Sequence, residues 1–231
     1  MFQALLKRGR VLPIEVPKPK VSPGSVLIKV VNSCISSGTE ISSVRGSSKG
    51  LIRRALDQPG NVKKAFGMLK KDGIANTLSN IKDKLDMPIP RGYSIAGMAL
   101  AIGDGVRDIQ PGDKVAAAGG GYALHAEFVD VPKNLVMPMP DRLDYPSAST
   151  VALGGIAMQA VRRANVKIGE FTVVYGTGII GLLAVQMLKL SGARVIAIDL
   201  DKNRLQIALD FGVEAVFCPS DPDYIRSIMH Y

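Results

Sequence analysis

The feature that most constrains the fold is a glycine-rich loop in the last third of the chain. Residues 176–181 read GTGIIG, follow the apolar run FTVVY and precede a helical stretch, LLAVQMLKL. In this strand–loop–helix context the first glycine permits a tight turn, the second lets backbone approach a pyrophosphate, and the third lets the helix pack against the strand. The phosphates would lie on exposed amides at the positive end of the helix. The motif therefore predicts a dinucleotide site formed by Gly176, Thr177, Gly178, Ile179, Ile180 and Gly181.

The next apolar run, RVIAID, ends in an acidic residue that predicts which dinucleotide binds. Asp199 follows Gly181 at close to the separation of about 20 residues at which a carboxylate meets the adenosine ribose. A carboxylate there accepts hydrogen bonds from two ribose hydroxyls and repels a 2′-phosphate, so NAD is predicted in preference to NADP. Arg204 and Lys202 either flank the adenine or solvate the start of the next helix, and the sequence leaves both interpretations open.

The order of strand and helix patterns predicts an α/β chain with two domains. Residues 1–144 contain short strands joined by turns such as Ser22-Pro23-Gly24, which indicates an antiparallel sheet. Apolar residues at three- and four-residue steps predict two amphipathic helices as an insert at about 48–86. Residues 145–231 begin with a helix over 148–165 and then alternate strands and helices, which predicts a parallel sheet.

Composition excludes several classes of protein. No apolar run approaches the roughly 18 residues of a spanning helix, and MFQALLKRGR does not read as a signal peptide, so a cytoplasmic location is expected. Cys34 and Cys218 have no paired spacing, which argues against a disulfide framework or a cysteine-rich zinc site. Most of the net charge of +9 lies between residues 45 and 84. We interpret it as the solvated face of the two helices, and no nucleic-acid partner is expected.

Further motifs in the antiparallel region carry a resemblance to a known family. Residues 111–115 read PGDKV, residues 126–129 read AEFV, and Val131-Pro132 follows. With the glycine loop behind them, the chain resembles the medium-chain dehydrogenase/reductase superfamily, which includes the zinc alcohol dehydrogenases. The resemblance implies a GroES-like catalytic domain and a Rossmann domain, with substrate between them and a homodimer as a candidate assembly.

The same resemblance predicts that the chain continues beyond residue 231. A complete Rossmann domain has two halves, and the pattern here supplies strands for the first half only. A truncated Rossmann domain is expected to bind the adenosine end of NAD without turnover.

Two segments depart from the family pattern at the catalytic zinc. In the family a cysteine in a segment like GxCGSD and a histidine in a segment like GHExxG hold the metal. Here residues 92–97 read GYSIAG, with Tyr93 at the histidine position, and ISSGTE places Ser36 or Ser37 at the cysteine position. Hydroxyls are poor ligands for Zn²⁺, so no metal ligand is assigned and zinc is expected to be absent. Cys34 is an alternative ligand, although a small core thiol is the favoured interpretation.

Without zinc, another group must stabilise or protonate the developing alkoxide. Tyr93 is predicted to donate the hydrogen bond or proton, aided by Ser94 and by Thr39, which matches the family's proton-relay hydroxyl. The alternative for Tyr93 is a packed ring that closes the cleft. Glu40 matches the acidic residue beside the relay, where it either takes part in the chemistry or braces the loop. The histidines, His125 and His230, are isolated in sequence and are not expected to be catalytic.

The combination of ISSGTE, the helical insert and GYSxAG resembles more narrowly the dehydrogenase part of bacterial bi-domain oxidoreductases, which are associated with surface-polysaccharide or sugar metabolism. The predicted function is a zinc-independent oxidoreductase that transfers hydride between NAD and a polar alcohol or carbonyl compound, such as a sugar or nucleotide sugar. Two alternatives stay open. One is an NADPH-dependent quinone or enoyl reductase, and the other is a non-enzymatic cofactor-sensing or scaffold protein with a basic interaction lobe.

Overall fold

A computed structural model describes residues 1–7, 9–36, 38, 40 and 87–230. The predicted helical insert at about 48–86 and the predicted site residue Thr39 lie outside the described residues. The chain divides into two compact units, Met1–Thr150 and Val151–Tyr231.

The first unit consists of two antiparallel sheets. The larger sheet has the strand order β7-β3-β5-β6-β8, and the smaller has the order β2-β1-β4. Alternating apolar side chains of the larger sheet, such as Val26, Ile28 and Ile95, are fully buried in one core. The described strands are β1 (Phe2–Lys7), β2 (Arg10–Glu15), β3 (Ser25–Ser33), β4 (Ile89–Pro90), β5 (Ser94–Ile102), β6 (Lys114–Ala118), β7 (Phe128–Pro132) and β8 (Val136–Pro138).

Two short helical segments complete the described part of this unit. A 3₁₀ turn spans Lys133–Leu135, and helix α1 spans Tyr145–Ala148. The Asp144 carboxylate caps α1 by accepting a hydrogen bond from the Ser147 amide at 2.8 Å.

The second unit is a three-stranded parallel sheet with the order β11-β10-β9. Its strands are near-continuous apolar runs. The middle strand of the sheet is almost fully buried, whereas Phe171, Val173 and Tyr175 of one edge strand are exposed. The described elements are α2 (Val151–Ala164), β9 (Phe171–Tyr175), α3 (Ile179–Leu190), β10 (Arg194–Ile198), α4 (Lys202–Asp210), β11 (Ala215–Phe217) and α5 (Tyr224–Ile228). An antiparallel unit followed by a parallel one confirms the predicted α/β class.

The helix predicted over 148–165 begins slightly later in the structure. It corresponds to α2, which begins at Val151, while Ala148 ends the separate short helix α1, and the division between the units falls between Thr150 and Val151 rather than after residue 144. The residues just before this division belong with the first sheet, because Ala148 and Ser149 are buried and α1 contacts β3 and β5. Among the described residues, no helix has the length and apolar character needed to cross a membrane.

Candidate functional site

The glycine loop joins β9 to α3, and each of its three glycine positions favours glycine for a different physical reason. Gly176 has φ +96°, a conformation that side-chain-bearing residues rarely adopt. A Cβ on Gly181 would lie 1.9 Å from the Gly176 carbonyl oxygen, so only glycine lets the helix approach the loop this closely. A Cβ on Gly178 would meet nothing of the protein within 4 Å. Open space at Gly178, beside the start of α3, is what the approach of a pyrophosphate requires.

Asp199 directly follows β10 and is bonded to this loop. Its Oδ2 accepts a hydrogen bond from the Thr177 amide at 2.6 Å, and its Oδ1 accepts one from the Asp201 amide at 2.9 Å. Partial burial acts to raise the pKa of the Asp199 carboxyl. The bonds from Asp201 and Thr177, with the charge of Arg204, outweigh burial and leave that pKa below its usual value. The group is therefore an anion at neutral pH, held at the end of the strand next to the glycine loop.

The two basic residues near Asp199 already have acidic partners. Arg204 Nε lies 3.5 Å from Asp201 Oδ2, and Lys202 Nζ lies 3.1 Å from Asp221 Oδ1, with all four side chains largely exposed. Asp201 also caps α4 by accepting from the Asn203 amide at 2.9 Å. These pairs favour the interpretation in which Arg204 and Lys202 solvate a helix start, and contact with an adenine stays a prediction.

The residues of the second unit fit the adenosine and pyrophosphate part of a dinucleotide. The amides of Ile179 and Ile180 lie in the first turn of α3, where a helix offers them no internal acceptor. The positive end of the helix favours a phosphate at these amides. Asp199 offers carboxylate oxygens to ribose hydroxyls. The loop, the first turn and the carboxylate are thus assembled within one unit.

In the first unit, the GYSIAG segment runs into β5 and turns its serine inward. Ser94 has no exposed surface, and its hydroxyl donates to the Ser149 carbonyl at 2.6 Å. Its own carbonyl accepts from the Cys34 amide at 2.9 Å. Tyr93 is half-buried, and its carbonyl accepts from the Gly119 amide at 2.9 Å. The geometry of Ser94 favours holding β5 against the end of α1, while substrate contact by Tyr93 stays a prediction.

Replacing Ser94 by alanine is expected to lower the free energy of unfolding by about 1–3 kcal/mol, because a buried carbonyl loses its partner. Urea denaturation measures this change. Thr150→Ala is the matched control, since its exposed hydroxyl also donates to a carbonyl, that of Ser147, at 2.7 Å. That change is expected to cost less than about 0.5 kcal/mol. Equal costs for the two variants would contradict the structural role of Ser94.

A pair that sequence reasoning missed lies beside the same segment. His125 Nε2 is 3.0 Å from Glu40 Oε1, and the side chains of His125 and Glu40 are only 12% and 16% exposed to solvent. Glu40 Oε1 also accepts from the Ser36 amide at 3.2 Å. These residues are far apart in sequence and no spacing links them. The one sequence signal that could have indicated a role for His125 is its position immediately before AEFV. The neighbouring residue, Ala126, pairs with Gln3 near the N-terminus.

The described residues at the two zinc-holding segments do not fit a zinc ion. In the described part of the chain, no three His, Cys, Asp or Glu side chains come together as a metal site. Burial, and then the negative charge of Glu40, raise the pKa of the Cys34 thiol, which disfavours the thiolate that a metal needs. Ser36 is buried, and a neutral hydroxyl is a weak zinc donor. The absence of catalytic zinc stays a prediction.

Comparisons with known proteins agree with this geometry. A family model described as zinc-binding dehydrogenase matches residues 180–230. The chain is 27% identical to (R,R)-butanediol dehydrogenase of Bacillus subtilis over 92% of its own length and 62% of that protein's. It is 28% identical to an alcohol dehydrogenase of Geobacillus stearothermophilus, over 90% and 60% of the two lengths.

Solved structures show the same fold. The quinone oxidoreductase of Coxiella burnetii superposes with a TM-score of 0.72 at 21% identity, covering 98% of this chain and 65% of that one. At this identity the match establishes the fold alone. The chain spans 62% and 60% of the lengths of the two curated relatives.

Proposed function

Because this chain belongs to the medium-chain dehydrogenase/reductase superfamily, we propose that it acts in an NAD-dependent oxidoreductase of polar alcohols and their carbonyl partners, without a catalytic zinc. Its GroES-like and Rossmann units are those that the sequence predicts. The observation that carries the proposal is the glycine loop tied to Asp199, with open space at Gly178.

The preference for NAD rests on the charge of Asp199. A carboxylate fixed by two backbone amides stays ionised at neutral pH and can accept from the ribose hydroxyls. The 2′-phosphate of NADP would bring a second anion to the same place, where like charges repel. Arg204 and Lys202, the two cations described near Asp199, are each paired with a carboxylate, so neither is an unpaired positive charge that would offset this repulsion.

NAD, when bound, supplies the acceptor for the hydride. The first turn of α3 would hold its phosphates, and Asp199 would accept hydrogen bonds from its ribose hydroxyls. The polar-alcohol substrate class is supported by relatives whose names are butanediol and alcohol dehydrogenases. A sugar or nucleotide-sugar substrate, and a place in polysaccharide synthesis, stay predictions from the narrower resemblance.

A second candidate is an NADPH-dependent quinone reductase. The observation that favours it is the fold shared with the quinone oxidoreductase of Coxiella burnetii, combined with a donor set that does not fit zinc. Asp199 opposes it, because its negative charge disfavours NADPH. The proposed scaffold with a basic lobe depends on the insert, which lies outside the described residues.

Replacing Asp199 by serine is expected to weaken NAD binding and to reduce the preference over NADP by at least about tenfold, which is about 1.4 kcal/mol. The reason is the loss of both the ribose acceptors and the repulsive charge. Calorimetric titration with each nucleotide measures the ratio. Asp199→Asn is the matched control: it keeps a similar shape and one acceptor oxygen, so it isolates the contribution of charge.

The chain is expected to bind NAD more tightly than NADP, and the whole protein to which it belongs is expected to transfer hydride from butane-2,3-diol to NAD. Tighter binding of NADP, together with reduction of a benzoquinone by NADPH, would favour the second candidate. Binding of neither nucleotide would contradict both.

A further inference from the structure

The Glu40–His125 pair lies where the two departing segments converge. Glu40 is the last residue of the ISSGTE segment and contacts His125. Gly92 is the first residue of the GYSIAG segment and lies against the same histidine. Gly92 has φ +104°, and a Cβ there would lie 2.4 Å from the His125 amide nitrogen and 3.0 Å from the ring carbon Cγ. The two segments that bear the zinc ligands in the family that this chain resembles therefore each place a residue against the His125 side chain.

The pairing assigns the hydrogens of the neutral imidazole. An ionised carboxylate only accepts hydrogen bonds, so Nε2 of His125 carries the hydrogen that Glu40 Oε1 receives at 3.0 Å. The neutral ring then has its lone pair on Nδ1. A carboxylate that holds an imidazole in one tautomer and orientation leaves the other ring nitrogen ready to take a proton.

Nδ1 of His125 is buried, and no residue in the described part of the chain bonds to it. Buried polar atoms without a partner are rare in native proteins and call for an explanation. Nε of Arg91 is a second such atom, and the Arg91 carbonyl accepts the His125 amide at 2.7 Å. A substrate hydroxyl would satisfy Nδ1 of His125, because a hydroxyl donates to an imidazole lone pair.

We propose that His125 is the proton-transferring residue of this oxidoreductase and that Glu40 is the positioning residue of His125. This inference rests on the proposed function. In alcohol oxidation the O–H bond breaks and its proton goes to Nδ1 of His125, while the O–H electron pair forms the carbonyl. The carbon gives up its hydrogen and an electron pair as hydride to NAD. Solvent does not reach Nδ1 in the described conformation, so the substrate hydroxyl gains access through a local movement on binding.

Histidine-selective nitrogen NMR of the unaltered protein tests the tautomer without any variant. The chain has only two histidines, His125 and His230, so their signals are readily assigned. At a pH where its ring is neutral, His125 is expected to show a protonated Nε2 and an unprotonated Nδ1, and Glu40→Gln is expected to disturb this distribution. A protonated Nδ1 in the neutral ring would overturn the proposal, whatever the activity.

Kinetics of the whole protein to which this chain belongs, with butane-2,3-diol and NAD, test the chemical role. His125→Gln is expected to lower kcat by about 10²–10⁴-fold, the range typical of lost acid–base catalysis, with NAD affinity unchanged. Added imidazole is expected to restore part of the rate to His125→Ala, which a purely structural histidine would not allow. His230→Ala is the control and should keep full activity.

The outcomes separate this inference from the proposed function. If the whole protein to which this chain belongs neither binds NAD nor transfers hydride, the proposed function fails and this inference fails with it. If hydride transfer persists in His125→Gln, only the inference fails. Loss of activity in Tyr93→Phe with full activity in His125→Gln would return the proton-transfer role to Tyr93.

Discussion

Replacing Gly181 by alanine is expected to lower the free energy of unfolding of the second unit by about 3 kcal/mol. An added Cβ would lie 1.9 Å from the Gly176 carbonyl oxygen and 3.0 Å from its carbon, both backbone atoms in a tight turn. Inserting a methyl group into a space without room typically costs about 1–3 kcal/mol, and here the obstacle is main chain rather than a flexible side chain. Thermal or urea unfolding measures the loss.

Gly155→Ala is the matched control for this change. Gly155 lies within α2, and a Cβ there would meet nothing within 4 Å. Alanine is favoured over glycine in a helix interior by about 1 kcal/mol, so this variant is expected to be more stable than the unaltered protein. The same helix preference favours alanine at Gly181, so the clash with Gly176 must cost more than about 1 kcal/mol for the variant to be less stable than the unaltered protein. A stabilised Gly181→Ala variant would show that the loop and helix are not as close as described.

Replacing Gly178 by alanine is expected to have the opposite profile, with a small effect on stability and a large effect on binding. Gly178 has φ −68° and ψ −176°, a conformation open to any residue, and its Cβ would lie in open space. Because Gly178 is the N-cap of α3, alanine is expected to cost at most about 1 kcal/mol of stability. The methyl group would occupy the space that a pyrophosphate needs, and NAD affinity is expected to fall about 100-fold, or about 2.7 kcal/mol.

Calorimetric titration of NAD into the Gly178→Ala variant and into Gly155→Ala measures this effect against a control with the same added methyl group. Unchanged NAD affinity in Gly178→Ala would mean that the phosphates do not approach α3 at this point. A large loss of stability without bound nucleotide would instead mean that the protein itself fills the space.

The sequence predicted the second unit well because its information is local. A strand, a glycine loop and a helix follow one another within residues 171–190, and the close approach at Gly181 is to Gly176, which lies in the same loop. Asp199 was predictable for the same reason, since parallel strands bring their carboxyl ends to one edge of the sheet. Its bond to the Thr177 amide is the direct consequence of that adjacency.

The first unit shows where sequence reasoning stops. Ser94 was predicted to assist chemistry from its position in GYSIAG, and that role stays a prediction. The bond from its hydroxyl to the Ser149 carbonyl joins residues that are remote in sequence, so no local pattern reveals it. His125 looked isolated because its partner, Glu40, is remote in sequence and is brought to it only by tertiary structure. The short helix α1 was missed because four residues are too few to show a helical period, and the predicted helix therefore began at Ala148, where α1 ends.

The most direct test of the central claim, that the glycine loop of the second unit holds NAD, is a titration of NAD into nitrogen-labelled protein followed by amide NMR. The amide signals of Gly178, Ile179, Ile180 and Asp199 are expected to shift together and to saturate, while those of the turn glycines Gly105 and Gly112 stay in place. Signals of the loop that do not move at saturating NAD, or shifts confined to residues of the first unit, would contradict the account.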